Sequence, residues 1–376
     1  MSKLLKCLTV AAMLVMSVTA QANSIYTSLS HNSDPLNCDA SSAFSNQLDD
    51  MDLALSTPAC DAHLQRKLKD YLGRGSHSTE RMLGRANQYF PIFEYYLARH
   101  NMPESLKYLA VAESMLYPGA VSSARAAGLW QLMPATARSM GLRVDGVVDE
   151  RLDMYRSTEA AVIMLKGLHR QFNDWHLALA AYNCGPGRVR RAIRAAGGHS
   201  SYNKVKRFLP SESQKYVAAY VAAAYTVTYY NEFGLTPADH TMEDSIASLI
   251  VYRPLNLRRL ANDCDLPINT VRKMNPSYVR GYIPRSTDGY RLRVPLLSKW
   301  AAQAFIWGRP NLVVLDVNPE LELAEQFVAD LGFDARQWFL GCKQGNLLNE
   351  ASIAQRNTEA ELYLDFFHAY RALAMN

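Results

Sequence analysis

The sequence predicts a mainly α protein: a long helical region, a small α+β unit behind it, and a helical C-terminal tail. Three observations carry this. From about Ala62 to Leu235 apolar residues recur at helical spacing, and no alternating strand pattern interrupts them. After Gly234-Leu235-Thr236-Pro237 the texture changes to short β-rich runs enclosing two helical patterns. Beyond about residue 300, "PELELAEQFVADLGF" and "AELYLDFFHAYRALA" return to helical periodicity, alongside Trp300, Trp307 and Trp338.

Each element follows from its residues. Residues 23–60 are rich in Ser, Asn and Asp and read as irregular. "STERMLGRANQYFPIFEYYLARH" reads as a long helix. "LKYLAVAESMLYPG", residues 106–119, reads as an amphipathic helix with Leu106, Leu109, Ala110 and Leu116 on one stripe. Pro134 suits a first helical turn, where its missing N–H costs nothing, and Gly141 suits the stop. Ser157 reads as the cap of "STEAAVIMLKGLHRQF". "WHLALAAYN" is nearly all apolar and should be buried. "SESQKYVAAYVAAAYTVTYYNEF" places Tyr216, Tyr220 and Ala224 on one face and is too short to span a bilayer. In the α+β unit, Leu257, Leu260 and Ala261 face one helix inward, and Ile268, Val271 and Met274 the other. Ile250 and Val251, with Leu292 and Val294, mark the two strands.

With 376 residues, 49% of them hydrophobic and 20% charged, the chain has room for about two domains. A net charge of +5 permits acidic partners without demanding them. Arg188, Arg190, Arg191 and Arg194 concentrate basic charge; a solvated helix face is the plain reading, attraction to an anionic wall the functional one. Residues 1–22 read as a signal peptide: Lys3 and Lys6, an apolar run from Leu8 to Val18, and Ala20-Gln21-Ala22 as the cleavage site. Cys7 precedes the apolar run, where a lipid anchor would need it behind, so the expectation is a soluble exported protein. Export makes disulfides plausible; Cys38–Cys60 is the first pair to consider, Cys264–Cys342 the second, with Cys184 left over. His169, His176 and His199 lack metal-ligand spacing, and neither a metal nor another cofactor is expected.

Glu113 breaks the pattern of its helix, for it lies on the same stripe as Leu109 and Ala110. A carboxylate turned into an apolar face is paired, or is held protonated for proton transfer. Three polar clusters follow in apolar or glycine-rich settings: "SSARAAGLWQLMPATA" with Ser122 and Gln131, "AAYNCGPGRVRRA" with Tyr182 and Asn183, and "FLPSESQKYVAAY" with Glu212 and Tyr216. Amides and hydroxyls of this kind hydrogen-bond sugar hydroxyl and acetamido groups, and nearby glycines let a bulky ligand approach the backbone. Plainer roles remain beside these: Glu113 paired in the core, Asn183 closing a helix, the tyrosines packing.

"ES", "GLWQLMPATA" and "AYNCGPG" in this order resemble the lytic transglycosylases of glycoside hydrolase family 23, over roughly residues 80–235. Trp130 and Cys184 stand where the family has other residues. The resemblance implies a goose-type, lysozyme-like helical catalytic domain at 80–240, with 23–79 as an N-terminal extension. It implies Glu113 as the one catalytic acid and base, and Ser122, Gln131, Tyr182, Asn183, Glu212 and Tyr216 as residues around the glycan. Ser114, beside Glu113, points away from it by helix geometry. Residues 246–297 resemble a LysM-like βααβ glycan-binding module; a structural cap is the alternative. Residues 298–376 carry no functional signal.

A lone acid suits substrate-assisted chemistry, because two-carboxylate glycosidases need a second acid opposite the first. Glu104, Asp145, Asp149 and Glu150 sit on polar stretches. The expected reaction is cleavage of the β-1,4 bond from N-acetylmuramic acid to N-acetylglucosamine in peptidoglycan strands, leaving 1,6-anhydro ends. A hydrolytic muramidase of the same fold and a non-catalytic peptidoglycan-binding protein are the alternatives. The expected partner is the glycan strand, with neither nucleic acid nor a membrane span in the mature chain.

Overall fold

A computed structural model describes residues 43–238 and 246–307 of the chain. The expected signal peptide, residues 23–42, Cys38, Cys342 and the tail beyond 307 lie outside the described residues, and so do both expected disulfide pairings.

Two hydrophobic cores organise the described residues. The larger is helical. Its elements are α1 (Ala43–Asp50), α2 (Ala62–Lys69), α3 (Ser76–Arg99), α4 (Tyr108–Ser114), α5 (Pro134–Ser139), α6 (Met154–Phe172), α7 (Trp175–Cys184), α8 (Pro186–Ala195), α9 (Tyr202–Val205) and α10 (Ser211–Tyr229). α7 is the central rod: Leu177 through Ala181 are fully buried, and it packs on α6, α8 and α10. Burying a leucine is worth roughly 2 kcal/mol, so Leu177 and Leu179 anchor it. Small residues line α10, where Ala222, Ala223 and Ala224 are fully buried and let the helices approach closely. Among the described residues no helix is long and apolar enough to cross a membrane.

Pro134 occupies the first turn of α5, as its sequence suggests. Two sequence expectations need correction. α6 begins at Met154 with Asp153 as its cap, whose carboxylate accepts from Tyr155 N and Arg156 N. Ser157 lies inside the helix, its hydroxyl bonded to the Asp153 carbonyl. A carboxylate is the stronger cap because it also answers the helix dipole. Residues 43–50, expected to be irregular, form α1. Phe44 and Leu48, one helical turn apart, turn inward, and Phe44 meets Tyr225 edge-on at 5.0 Å.

Lys107 lies almost buried before α4 and contacts Glu94 at 2.6 Å and Glu104 at 2.5 Å. Burial pulls its pKa down, but the bonds to Glu104 and Glu94 outweigh it and raise it. Lys107→Met should cost about 1–3 kcal/mol, because it removes the nearly buried cation that Glu94 and Glu104 share. Urea unfolding of the variant checks this.

The smaller core belongs to a βααβ unit. Strands β1 (Ile246–Val251) and β4 (Tyr290–Pro295) pair antiparallel, with Leu249 opposite Leu292 and Ala247 opposite Val294. Between them run β2 (Leu255–Asn256), α11 (Leu257–Asp263), α12 (Ile268–Met274) and β3 (Tyr282–Ile283), and β2 pairs with β3. The inward faces are the expected ones: Leu257, Leu260, Ala261 and Val271 are fully buried. Asn275 braces the unit through both amide ends, donating to the Val271 and Arg293 carbonyls and accepting from Arg293 N. α13 (Lys299–Trp307) follows.

Candidate active site

Glu113 sits one residue before the end of α4, half-buried. The sequence expectation of a helix through residue 119 fails here. Met115 and Leu116 both take left-handed backbone angles, with φ +52° and +56°. Pro118, downstream, also disfavours helix at Tyr117. Left-handed geometry costs a non-glycine residue roughly 1 kcal/mol or more, so packing must impose it. Leu116 is fully buried, and Arg85 Nη2 donates to the Met115 carbonyl at 2.8 Å. The break lets Leu116 stay in the core while Glu113 stands at a helix end.

Burial raises the Glu113 pKa most, the Glu212 charge raises it further, and the Tyr216 hydrogen bond opposes both. The result is a carboxyl pushed up to about 7. Tyr216, from the second turn of α10, donates its hydroxyl to Glu113 Oε1. Burial and the Glu113 charge hold the Tyr216 and Tyr182 hydroxyls well above ordinary tyrosine. Both phenols are therefore neutral donors. Tyr216→Phe removes a donor that favours the ionised carboxylate, so the Glu113 pKa should rise further. The alkaline limb of a pH–rate profile should then move to higher pH.

The second wall is the loop of residues 120–132, and little in its residues signals how it is held. Gly128 has φ +83°, and a Cβ there would lie 1.9 Å from the Arg151 carbonyl oxygen. Arg151 Nη1 donates to the carbonyls of Arg125 at 2.6 Å and Leu132 at 3.0 Å, while Asp149 grips its guanidinium at 2.7 and 2.9 Å. An arginine in a polar stretch signals nothing by itself; only the fold reveals Arg151 as buried. Trp130 is fully buried, tilted on Phe93 at 4.8 Å, and its ring N–H reaches Thr158 Oγ1 at 2.8 Å.

The loop is tied to the Glu113 helix and to α7. Ser114 Oγ donates to the Leu129 carbonyl at 2.8 Å, a contact fifteen residues away across the fold. Tyr182 donates to the Trp130 carbonyl at 2.7 Å. Gln131 uses its NH2 within the loop, on Gly128 O at 2.9 Å and Ala120 O at 3.2 Å, and Ser122 Oγ accepts from Ala126 N at 3.0 Å. These two side chains shape the loop from within. Asn183 Oδ1 accepts from Ser213 Oγ at 2.5 Å, joining α7 to α10.

The remaining acids are accounted for. Glu104 pairs with Lys107, Asp145 with Arg143 and Asp149 with Arg151. Glu150 accepts from Arg143 N and lies 3.5 Å from Arg156. Glu212 is exposed in the first turn of α10, and among the described residues it is the acid whose charge acts on Glu113. Among the described residues no cluster of His, Cys, Asp and Glu is arranged to hold a metal. The arginines of α8 are all exposed, consistent with a solvated face.

Glu113, Gln131, Tyr182 and Asn183 thus stand on elements of one segment, from α3 to α9. Residues 90–205 match the Transglycosylase SLT domain. The matched stretch contains Glu113, Ser122, Gln131, Tyr182 and Asn183, while Glu212, Ser213 and Tyr216 of α10 reach the site from outside it. The chain is similar to the membrane-bound lytic murein transglycosylase D of Escherichia coli K12, with 30% identity over 228 residues, 60% of this chain and 50% of that protein. It is also similar to the peptidoglycan transglycosylase gp16 of Escherichia phage T7, with 41% identity over 86 residues, 22% of this chain and 6% of that protein. The 70 kDa soluble lytic transglycosylase of Escherichia coli aligns in structure with TM-score 0.34 and 20% identity, over 50% of this chain and 38% of that one. The chain spans about half the length of the first curated relative it matches.

Proposed function

We propose that this chain is a peptidoglycan lytic transglycosylase with Glu113 as its single acid and base. The observation that carries the reading is one sheltered carboxyl, poised near neutrality against two neutral phenols, while the other acids flanking it in sequence are held by cations. A general acid works best with a pKa near the working pH.

Protonated Glu113 gives its proton to the glycosidic oxygen between N-acetylmuramic acid and N-acetylglucosamine. The bond to C1 breaks, and the acetamido oxygen of the same sugar supports the cation. Glu113, now a carboxylate, takes the proton of the C6 hydroxyl as that oxygen bonds to C1. The products are a free 4-hydroxyl and a 1,6-anhydromuramic end, and Glu113 is again protonated. Tyr216 steadies the carboxylate between the two steps. Ser122, Gln131, Tyr182, Asn183 and Glu212 are assigned to shaping and lining the sugar site. Acid–base assistance of this kind supplies roughly 10²–10⁴-fold, and positioning must supply the rest.

The Glu212 charge near Glu113 favours one competing reading, hydrolysis by a muramidase in which Glu212 activates water. Mass analysis of purified sacculi digested with the protein separates the readings. Anhydro ends support transglycosylation, reducing ends support hydrolysis, and no released muropeptide supports a binding protein. Export to the periplasm is part of the proposal and rests on the leader-like residues 1–22. The βααβ order of residues 246–295, with Tyr252 and Tyr282 exposed, supports glycan binding by that unit.

A further inference from the structure

Val148 belongs to the helical half in sequence and to the other core in space. It is 1% exposed and packs with the βααβ cluster that includes Leu249, Leu257 and Leu292. Its backbone forms an antiparallel bridge with Tyr278. Asp149 N donates to Ser277 O at 2.8 Å, and Val279 N donates to Val147 O at 3.1 Å. Residues 147–149 are therefore a short strand laid along residues 277–279. Side chains reinforce the seam: Arg143 Nη1 donates to the Tyr290 hydroxyl at 2.6 Å, Arg293 Nη1 reaches Met154 Sδ at 2.9 Å, and the Arg291 guanidinium lies 4.2 Å from the centre of the Tyr155 ring. A tethered binding module would need none of these contacts.

The same strand leads back to Glu113. Asp149, whose N–H is fixed by Ser277, grips Arg151 with its carboxylate. Arg151 holds the loop at Arg125 and Leu132, and its carbonyl abuts Gly128. The loop in turn is bonded to Ser114, next to Glu113, and to Tyr182. Every link is a hydrogen bond or a close packing contact between groups that are wholly or partly buried.

We propose that the βααβ unit is a working part of the catalytic apparatus: docked on residues 147–149, it makes Asp149 and Arg151 positioning residues that fix the loop of residues 120–132 beside Glu113. Undocking it loosens the loop and slows turnover without altering the Glu113 helix itself.

The test uses the full chain with Val148→Asp, which puts a bare charge into the smaller core, and Val148→Leu as the conservative partner. Amide hydrogen exchange is followed at Ala127, Gly128, Gln131 and Leu132, each bonded within the loop, and at Leu165 in α6 as a control. Val148→Asp should speed exchange at the four loop amides at least tenfold, leave Leu165 unchanged, and lower kcat on glycan strands at least tenfold with KM within twofold. Val148→Leu should behave as the parent. Should Val148→Asp fail to fold, Arg143→Ala combined with Tyr290→Phe loosens the same seam without inserting a charge. Fast exchange at Val279, reporting an open seam, together with parental loop exchange and kcat, overturns the proposal. Only the kcat arm rests on the functional reading, so absent anhydro ends with faster loop exchange would fault that reading and spare this one.

Discussion

Glu113→Gln is expected to abolish turnover, by at least roughly 10³-fold, while leaving glycan binding within a few-fold of the parent. Glutamine keeps the shape and the hydrogen bond with Tyr216 but carries no transferable proton. The same variant should be the more stable protein at alkaline pH. In the folded chain the Glu113 pKa is raised from 4.5 to about 7, mainly by burial. A raised acid pKa means that the folded state binds the proton more tightly than the unfolded one. Its contribution to stability is full below about pH 4.5 and disappears as pH climbs through 7. The full shift corresponds to about 3 kcal/mol, as an upper figure for a half-buried group. The stability of Glu113→Gln relative to the parent should therefore grow between pH 4 and pH 8. Urea unfolding at the two pH values measures it, and a constant difference would contradict the burial assigned to the carboxyl.

Gly128→Ala is expected to be the most damaging small substitution. Its Cβ would meet the Arg151 carbonyl oxygen at 1.9 Å, and its φ of +83° is one that alanine resists. Neither partner can yield easily. Arg151 is fixed by Asp149 and by two loop carbonyls, and the loop carries the buried Trp130. A loss of at least about 3 kcal/mol follows, with Tm falling by roughly 10 °C and activity falling with the displaced loop. Thermal unfolding followed by Trp fluorescence reads the first effect, and muropeptide release reads the second. A folded variant of parental stability would mean that the loop is held otherwise.

The parts legible in the sequence were those set by local periodicity. α7 and α10 announce themselves by unbroken apolar or Ala/Tyr runs, and the two helices and outer strands of the βααβ unit follow from the spacing of Leu257, Leu260 and Val271 and of Leu292 and Val294. Glu113 was legible because a carboxylate interrupted an apolar stripe. What periodicity misses is competition. Asp153 outcompetes Ser157 as the cap of α6. α4 ends at Ser114 because Leu116 is drawn into the core through a left-handed turn, which no stripe predicts. α1 escapes notice because two inward residues, Phe44 and Leu48, hold it to α10 against a polar composition. The site was legible as residue types and not as roles. Gln131 and Ser122 turn out to bond within their own loop, and Asn183 to Ser213. Arg151 and Val148 gave no local signal, since their partners lie across the fold.

The proposed reaction depends on the protonation of one side chain. Carbon-13 NMR of the protein with labelled glutamate, assigned by comparison with Glu113→Gln, follows that carboxyl through a pH titration. A midpoint near 7 that moves upward in Tyr216→Phe is the predicted result. A midpoint at the ordinary glutamate value near 4.5 would mean a solvated carboxylate, and the acid proposed for the reaction would be absent.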